Sequence, residues 1–156
     1  MRKIKATNLV GLMLTLSKKV EYGLIAMLHM ASKRSGDLAT AKDISDAFAI
    51  PGELLGKVMQ SLARANLIEA VLGAHGGYRL RGPIDQVTLG SVIEALEGPV
   101  HLARCQEDPE QCGQFHSCNI KEPVFAINEQ LMNFINGISL GSFRKPAKPE
   151  PVLMEL

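Results

Sequence analysis

The segment Arg104–Cys118 constrains the fold of this chain most strongly. It contains all three cysteines of the 156-residue sequence, in the spacing C-x6-C-x5-C, and its other residues are mostly Glu, Asp, Gln, Pro and Gly. Such a composition offers almost nothing to bury, so the segment cannot fold through its own hydrophobicity. A metal centre that is held by the thiolates is the simplest way to fix it.

The cysteine spacing excludes several common cysteine motifs. Zinc ribbons and knuckles bring thiols in close C-x2-4-C pairs, redox dithiols use C-x-x-C, and neither pattern occurs here. A disulfide framework needs an even number of cysteines in a secreted chain. Three thiols on a flexible loop suit an iron–sulfur cluster whose fourth ligand comes from elsewhere, while zinc and unliganded thiols remain open alternatives.

The bulk composition predicts one cytoplasmic domain. The length is typical of a single domain with a small appendage. No run of about 18 apolar residues occurs, which predicts that no membrane is involved. The N-terminus is only faintly like a signal peptide, because Lys18 and Lys19 follow it without a cleavage site. We therefore expect a reducing cytoplasm, in which thiols stay free to bind metal.

The charge is unevenly distributed along the chain, although the formal net charge is only +1. Up to residue 81, Lys and Arg are twice as numerous as Asp and Glu, whereas from residue 82 onward the acidic residues are twice as numerous as the basic ones. A basic half joined to an acidic half suggests that one end meets a polyanion. An ordinary soluble protein with uneven charge is the alternative interpretation.

Apolar residues at helical spacing predict five helices. Thr40 and Asp43 form the capping-box pattern that opens the second helix, and Ala47 and Phe48 near its end are predicted to point inward. Pro51 begins the third helix at the position where proline is best tolerated. The helices are predicted at 18–33, at 41–48, from Pro51 onward, at 89–96 and at 122–136. Two short helices that are joined by a tight turn have the geometry of a helix-turn-helix.

A predicted β-hairpin follows the helix-turn-helix. It consists of a β-type run at 67–71, a loop with three glycines around His75, and a second run at 78–80. This order is a winged helix, and the glycine-rich tip with Arg79 on the return strand suits insertion beside a phosphate backbone or into a minor groove. A nucleotide-binding glycine loop is excluded, because such a loop lies between a strand and a helix.

The last predicted helix carries more apolar surface than one small domain can cover. This excess predicts a partner helix from a second copy of the chain, with packing on the chain's own winged helix as the alternative. The residues predicted to form the dimerisation face are Val124, Phe125, Ile127, Leu131, Phe134 and Ile135.

The predicted fold class is mainly α with a small β-wing, a winged helix-turn-helix plus a long C-terminal dimerisation helix. The predicted division has a flexible extension at 1–12, the DNA-binding winged helix-turn-helix at 13–98, the cysteine-rich cluster-binding loop at 99–121, the dimerisation helix with a C-terminal turn at 122–143, and a disordered tail at 144–156.

The motifs and their order resemble one bacterial family. The matching motifs, found between Met13 and Phe143, are Leu14–Gly23 (LTLSKKVEYG), Asp43–Ser45 (DIS) with Ile50-Pro51, Leu54-Leu55 through Leu67-Ile68, Gly76–Tyr78 (GGY), the three cysteines, and Leu140-Gly141. Together they resemble the IscR-type (Rrf family) transcriptional regulators, which include iron-responsive and nitric-oxide-responsive members.

The resemblance implies a homodimer whose winged helices read a pseudo-palindromic operator in double-stranded DNA. It also implies an iron–sulfur cluster on Cys105, Cys112 and Cys118, whose state alters the affinity for the operator. A 2Fe–2S cluster is favoured and a 4Fe–4S cluster is the alternative. The cluster type stays open because the gaps between the cysteines are six and five residues here, whereas they are five and five in the family. Glu21 matches the acidic fourth ligand of some relatives, sometimes supplied by the opposite subunit, and His116 is the alternative.

The DNA-binding prediction involves three surfaces: the third helix, the start of the first helix and the wing. On the third helix, Lys57 can meet a phosphate or a guanine edge, and Glu53 can accept a hydrogen bond from a cytosine amino group. The predicted DNA contacts are Ser17, Lys18, Lys19, Pro51, Gly52, Glu53, Leu54, Gly56, Lys57, Gln60, His75, Gly76, Gly77 and Arg79.

The leading functional hypothesis is a DNA-binding repressor whose cluster senses iron, redox or nitric oxide status. An alternative keeps the fold but makes it a cluster-free thiol sensor that is switched by cysteine oxidation. An enzyme, or an electron-transfer or cluster-scaffold protein, is disfavoured, because no paired carboxylates or Ser/His/Asp arrangement occurs and a scaffold would not need a wing.

Overall fold

The computed structural model of the chain describes residues 15–144, which form five α-helices and one two-stranded antiparallel sheet. The helices are α1 (Lys18–Ser32), α2 (Ala41–Phe48), α3 (Gly52–Arg64), α4 (Leu89–Glu97) and α5 (Lys121–Gly137), and the strands are β1 (Ile68–Val71) and β2 (Gly77–Leu80). Short 3₁₀ helices lie at Ile84–Gln86, Arg104–Gln106, Pro109–Gln111 and Leu140–Arg144. The predicted fold class is confirmed. The predicted extension at 1–12, and the predicted tail apart from residue 144, lie outside the described residues.

The helix-turn-helix is built by local hydrogen bonds. The Thr40 hydroxyl accepts from the Asp43 N–H at 3.0 Å, and the Asp43 carboxylate accepts from the Thr40 N–H at 3.2 Å, so the predicted capping box is present. Hydrogen bonding of the Asp43 carboxyl to the Thr40 side chain and to the Thr40 N–H holds the pKa of this carboxyl below its ordinary value. Ala49 ends α2 in the left-handed region at φ 52°, and the chain enters α3 after Pro51. The tight turn between α2 and α3 therefore follows from the local sequence.

Two side chains of α2 do not lie where the apolar pattern predicts. Ala47 and Phe48 are exposed, and α2 buries Ile44 alone, because the short helix lies at the edge of the domain with only one side covered. The Phe48 ring instead meets the His29 ring edge-on, with centroids 5.5 Å apart. Burial lowers the pKa of His29, and the nearby Lys33 acts in the same direction.

The core lies where α1 packs against α3 and α4. On α1, the side chains of Val20, Leu24, Met27 and Met30 are buried and form one apolar stripe at helical spacing. The largest fully buried side chains are Met27, Ile44, Leu55, Met59, Leu62, Ile68 and Leu140. Burial of such a set is the main favourable contribution to folding.

Gly23 allows α1 and α4 to approach closely. A Cβ built at this position would lie 2.6 Å from the Leu96 Cδ1 and 3.6 Å from the Val92 Cγ1. A glycine inside a helix costs about 1 kcal/mol relative to alanine. At Gly23 the close packing of Leu96 and Val92 against α1 offsets this cost. The last turn of α4 is therefore seated directly on the first half of α1.

The end of α5 returns to the start of α4. The Leu89 N–H donates to the Ile138 carbonyl, and the Leu140 N–H donates to the Val87 carbonyl, each at 2.8 Å. The cysteine-containing segment at 99–120 is thus a loop whose two flanking helices are fixed to the same core. None of the helices within residues 15–144 combines the length and the hydropathy that a bilayer crossing requires.

We predict that Leu55→Ala lowers the free energy of unfolding by about 2–5 kcal/mol, because the Leu55 side chain of α3 is fully buried in the core. Leu72→Ala is the matched control, since Leu72 is 94% exposed, and it should change stability by no more than about 0.5 kcal/mol. Urea denaturation measures both values. Similar losses in the two variants would contradict the assignment of the core.

Candidate nucleic-acid interface and cysteine cleft

Helix α3 has one buried face and one open face. Leu55, Val58, Met59 and Leu62 are buried, and this leaves the opposite face to the predicted DNA contacts. Pro51, Gly52, Glu53, Lys57 and Gln60 are exposed, while Leu54 and Gly56 are half-buried. A Cβ built at Gly56 would meet no atom within 4 Å, so the open face could approach another surface closely at this point.

A shallow groove of about 260 Å³ brings residues of α1 and α3 together. Lys19, Lys57 and Gln60, which were predicted separately as DNA contacts, line it side by side. Arg64 lines the same groove and was missed by the sequence analysis. Its position seven residues after Lys57 places it on the same helix face, so the helical periodicity could have identified it. The groove is a basic surface beside the open face of α3.

The predicted basic contacts are each paired with an acidic side chain. Lys18 meets Glu21 at 2.5 Å, and this interaction raises the pKa of Lys18. The other pairs are Lys57 with Glu53 at 3.0 Å, Lys19 with Glu97 at 4.0 Å, and Arg79 with Glu69 across the hairpin. Exposed ion pairs of this kind contribute only about 0.2–1 kcal/mol, so a nucleic-acid phosphate can displace the carboxylate.

The wing is a hairpin in which Ile68 pairs with Leu80 and Val71 pairs with Gly77. A Cβ at Gly76 would lie 2.3 Å from the Val71 carbonyl oxygen, so the turn requires glycine there. The tip exposes His75 and, at 94%, the apolar Leu72. Backbone hydrogen bonds of 2.8 and 2.9 Å between Ala39 and Tyr78 fix β2 to the segment before α2. The wing is therefore held in a fixed place beside the helix-turn-helix.

The three cysteines line one open cleft of about 860 Å³. All three thiols are free and half-buried. The other residues that line the cleft are Ala103, Arg104, Glu107, Asp108, Gln111, Gln114 and Ile120. Within residues 15–144, no three His, Cys, Asp or Glu side chains converge closely enough to hold a single metal ion. The donor set on the cleft fits an iron–sulfur cluster in ligand type, and the sulfurs would have to draw together around it.

The two candidates for a fourth ligand do not line this cleft in the single chain. Glu21 lies on α1 and contacts Lys18, and His116 stacks edge-on against Phe115 with centroids 5.5 Å apart. The acidic residues that do line the cleft are Glu107 and Asp108. Asp108 is engaged locally, because its carboxylate accepts from the Glu110 N–H and from the Gln111 amide.

The loop is held to α5 by one asparagine side chain. The Asn128 Oδ1 accepts from the Leu102 N–H at 2.9 Å, and the Asn128 Nδ2 donates to the Val100 carbonyl at 3.4 Å. At the other end of the loop, the Lys121 ammonium lies 4.6 Å from the centre of the Phe115 ring. These contacts fix the two ends of the loop, while the thiols lie between them.

Helix α5 exposes part of the predicted dimerisation face. Ile127 and Phe134 are 55% and 68% exposed, although both are large apolar side chains. The residues of that face that are half-buried in the single chain are Val124, Phe125 and Leu131. Ile135 is buried within its own chain, so its side chain cannot reach a second copy without a rearrangement.

Comparisons with known proteins agree on one family. The Rrf2 family model, described as an iron-dependent transcriptional regulator, matches residues 16–145. Among solved structures, CymR, titled the global cysteine regulator of B. subtilis, is similar at 25% identity and a TM-score of 0.63, over 84% of this chain and 96% of that chain.

Two further structures resemble the chain in fold. A putative transcriptional regulator from Listeria innocua has 24% identity and a TM-score of 0.69, over 91% of this chain and 93% of its own. IscR of T. potens has 22% identity and a TM-score of 0.64, over 92% of this chain and 93% of its own.

We predict that Asn128→Ala loosens the start of the cysteine loop. The loss of the hydrogen bond to the Leu102 N–H should speed amide exchange there about fivefold, since such a bond contributes about 1 kcal/mol. Hydrogen exchange read by NMR or mass spectrometry measures the effect. Asn133→Ala, at an exposed position further along α5, is the control. Unchanged exchange at Leu102 in Asn128→Ala would show that other contacts hold the loop.

Proposed function

This chain belongs to the Rrf2 family of transcriptional regulators, and we propose that it is a homodimeric repressor whose DNA affinity is set by an iron–sulfur cluster on Cys105, Cys112 and Cys118. Members of the family are regulators rather than enzymes. Cytoplasmic location is part of the proposal, because the thiols must stay reduced to bind iron.

The observation that carries the proposal is the shared cleft of the three cysteines. Their thiols line one opening in a loop that buries none of its residues from 99 to 120, so a ligand there would supply stabilising contacts that the loop's own side chains do not. Cys105, Cys112 and Cys118 would hold the cluster, with Glu21 of the same or the opposite subunit as the proposed fourth ligand and His116 as the alternative. A bound cluster supplies a centre that is sensitive to iron supply, oxidants and nitric oxide.

Residues that line the cleft make the order of the cysteine loop depend on whether a ligand is bound to the thiols. Without a ligand, the three thiols share the cleft with the carboxylates of Glu107 and Asp108, and a negative charge on a thiol would be repelled by these carboxylates. The loop then has fewer favourable contacts, and it holds the end of α4 and the start of α5 less firmly. A ligand shifts such an equilibrium only by stabilising one of two states, and the ordered loop is the state stabilised here.

A cluster-free thiol sensor is the second candidate. It is favoured by the half-buried free thiols, which do not converge on a single metal position among the described residues. The similarity to CymR, the global cysteine regulator of B. subtilis, points in the same direction. In this version oxidation of the thiols, rather than loss of a cluster, changes the loop.

The proposed homodimer would cover the exposed apolar residues of α5. Ile127 and Phe134 lie on the same side of the helix, seven residues apart, and solvent exposure of two such side chains is unfavourable. A second copy of α5 offers a matching surface, as expected for a two-fold symmetric interface. Such symmetry would also place two winged helices on the two halves of a pseudo-palindromic operator.

We predict that protein purified without oxygen is coloured and contains iron, and that the triple variant Cys105→Ser, Cys112→Ser and Cys118→Ser is colourless and iron-free. Visible absorption and iron analysis measure this difference. Glu21→Ala and His116→Ala, each compared with the control His101→Ala, should identify the fourth ligand by a changed spectrum. Colourless, iron-free wild-type protein whose DNA affinity responds to oxidants would favour the thiol sensor instead.

We predict that DNA binding weakens with salt and that Lys57→Gln lowers the slope of this dependence by about one phosphate contact. Fluorescence anisotropy with a labelled duplex of mixed sequence measures the slope over a series of salt concentrations. Lys121→Gln on α5 is the control and should keep the wild-type slope. Binding that is equally strong at low and high salt would refute the basic interface.

We predict that Phe134→Asp converts the homodimer into a monomer, because the charge would have to be buried in the proposed interface. Analytical ultracentrifugation measures the molecular mass. Asn133→Asp introduces the same charge at the neighbouring position and should leave the dimer intact. A wild-type monomer, or a Phe134→Asp dimer, would remove α5 as the interface.

A further inference from the structure

The start of α1 is contacted by a carboxylate from a distant part of the chain. The Ser17 hydroxyl caps α1 by accepting from the Val20 N–H at 3.3 Å, and it also donates to the Glu97 Oε1 at 2.5 Å. The other oxygen of the same carboxylate lies 4.0 Å from the Lys19 Nζ. Glu97 thus engages two neighbouring groups at the N-terminus of a fifteen-residue helix.

These two groups are the ones that a DNA phosphate would use. Ser17 and Lys19 are predicted to contact the sugar-phosphate backbone of DNA, and Lys19 also lines the groove beside Lys57 and Arg64. A carboxylate and a phosphate oxygen carry the same sign of charge and accept the same hydrogen bonds. The positive end of the α1 dipole attracts either of them. The Ser17 hydroxyl has one proton to donate, so Glu97 and a DNA phosphate cannot both accept it, and the Glu97 carboxylate repels a phosphate that approaches Lys19.

The position of Glu97 distinguishes it from the other acidic partners. The pairs Lys18–Glu21 and Lys57–Glu53 each lie within one helix, and Arg79–Glu69 lies within the hairpin. Glu97 is instead the last residue of α4, so its pair joins the DNA-binding surface to the element that leads into the cysteine loop.

The end of α4 is well placed to transmit a change in the loop. Gly98 follows Glu97 with φ 84°, and the chain then runs directly to Val100 and Leu102, which Asn128 holds against α5. The last turn of α4 rests on α1 through Leu96, whose side chain occupies the space that Gly23 leaves open. A loop that pulls on or releases this turn would move the Glu97 carboxylate relative to Ser17.

We propose that Glu97 is a built-in competitor of DNA phosphate at Ser17 and Lys19, and that the cysteine loop sets how strongly it competes. The proposal rests on the DNA-binding function proposed above and names a control element of that same interface. It is independent of whether the loop holds a cluster or carries bare thiols that become oxidised.

The first test compares Glu97→Gln with Glu94→Gln. Both variants remove one negative charge from an exposed position of α4, but only the first removes it from Ser17 and Lys19. With a labelled duplex of mixed sequence at low salt, Glu97→Gln should bind about two- to fivefold more tightly than Glu94→Gln, the range expected for an exposed ion pair. In the background Ser17→Ala with Lys19→Gln, this difference should disappear.

The second test adds the cysteine loop. The DNA affinity of wild-type protein, measured as purified anaerobically and again after oxidation, is divided by that of the triple cysteine-to-serine variant, and the same ratios are measured with Glu97→Gln present in both proteins. We expect a wild-type ratio clearly different from one and a ratio closer to one with Glu97→Gln.

The outcomes separate this inference from the proposed function. Wild-type protein that binds no duplex at any salt concentration would overturn the proposed function itself. Wild-type binding with equal affinities for Glu97→Gln and Glu94→Gln would overturn the competition by Glu97. If Glu97→Gln binds DNA more tightly than Glu94→Gln but leaves the ratio of wild-type to triple-serine affinities unchanged, the link between Glu97 and the cysteine loop is overturned.

Discussion

The loop between α4 and α5 has no buried core of its own, and the proposed control of DNA binding depends on this constraint. No residue from 99 to 120 is buried, and the loop is held mainly by Asn128 at one end and by the Lys121–Phe115 contact at the other. Between these anchors, the three thiols line one open cleft. Because backbone order costs about 1–2 kcal/mol per residue, a bound ligand or a covalent change at the thiols can decide whether the loop is ordered.

The DNA-binding half has the opposite character, since its elements are fixed by a shared core. The buried face of α3 packs against α1, and this packing determines which residues of α3 remain open to DNA. The wing is fixed by backbone hydrogen bonds between Ala39 and Tyr78. A rigid winged helix-turn-helix joined to a loop without a core is suited to control by a ligand. Because the geometry of the DNA-binding surface is otherwise constant, a small displacement that the loop transmits to it can change its affinity for DNA.

Local signals in the sequence were sufficient for most of the fold. The capping box of Thr40 and Asp43 and the proline at position 51 fixed the helix-turn-helix, because each acts through neighbours in the chain. Phe48 was misplaced because burial at the edge of a domain depends on which elements lie opposite, and periodicity contains no such information. The contact between Ser17 and Glu97 joins residues 80 positions apart, so only the folded chain could reveal it.

The central claim is that the state of the cysteine loop sets the affinity for DNA. The most direct test takes one anaerobic preparation and an operator recovered by genome-wide selection, and measures the dissociation constant before and after a chelator removes the cluster. We expect the dissociation constant to change at least about fivefold, the lower end of typical coupling between two sites, and not to change when the three cysteines are serines. Equal affinities of the wild-type protein in the two states would contradict it.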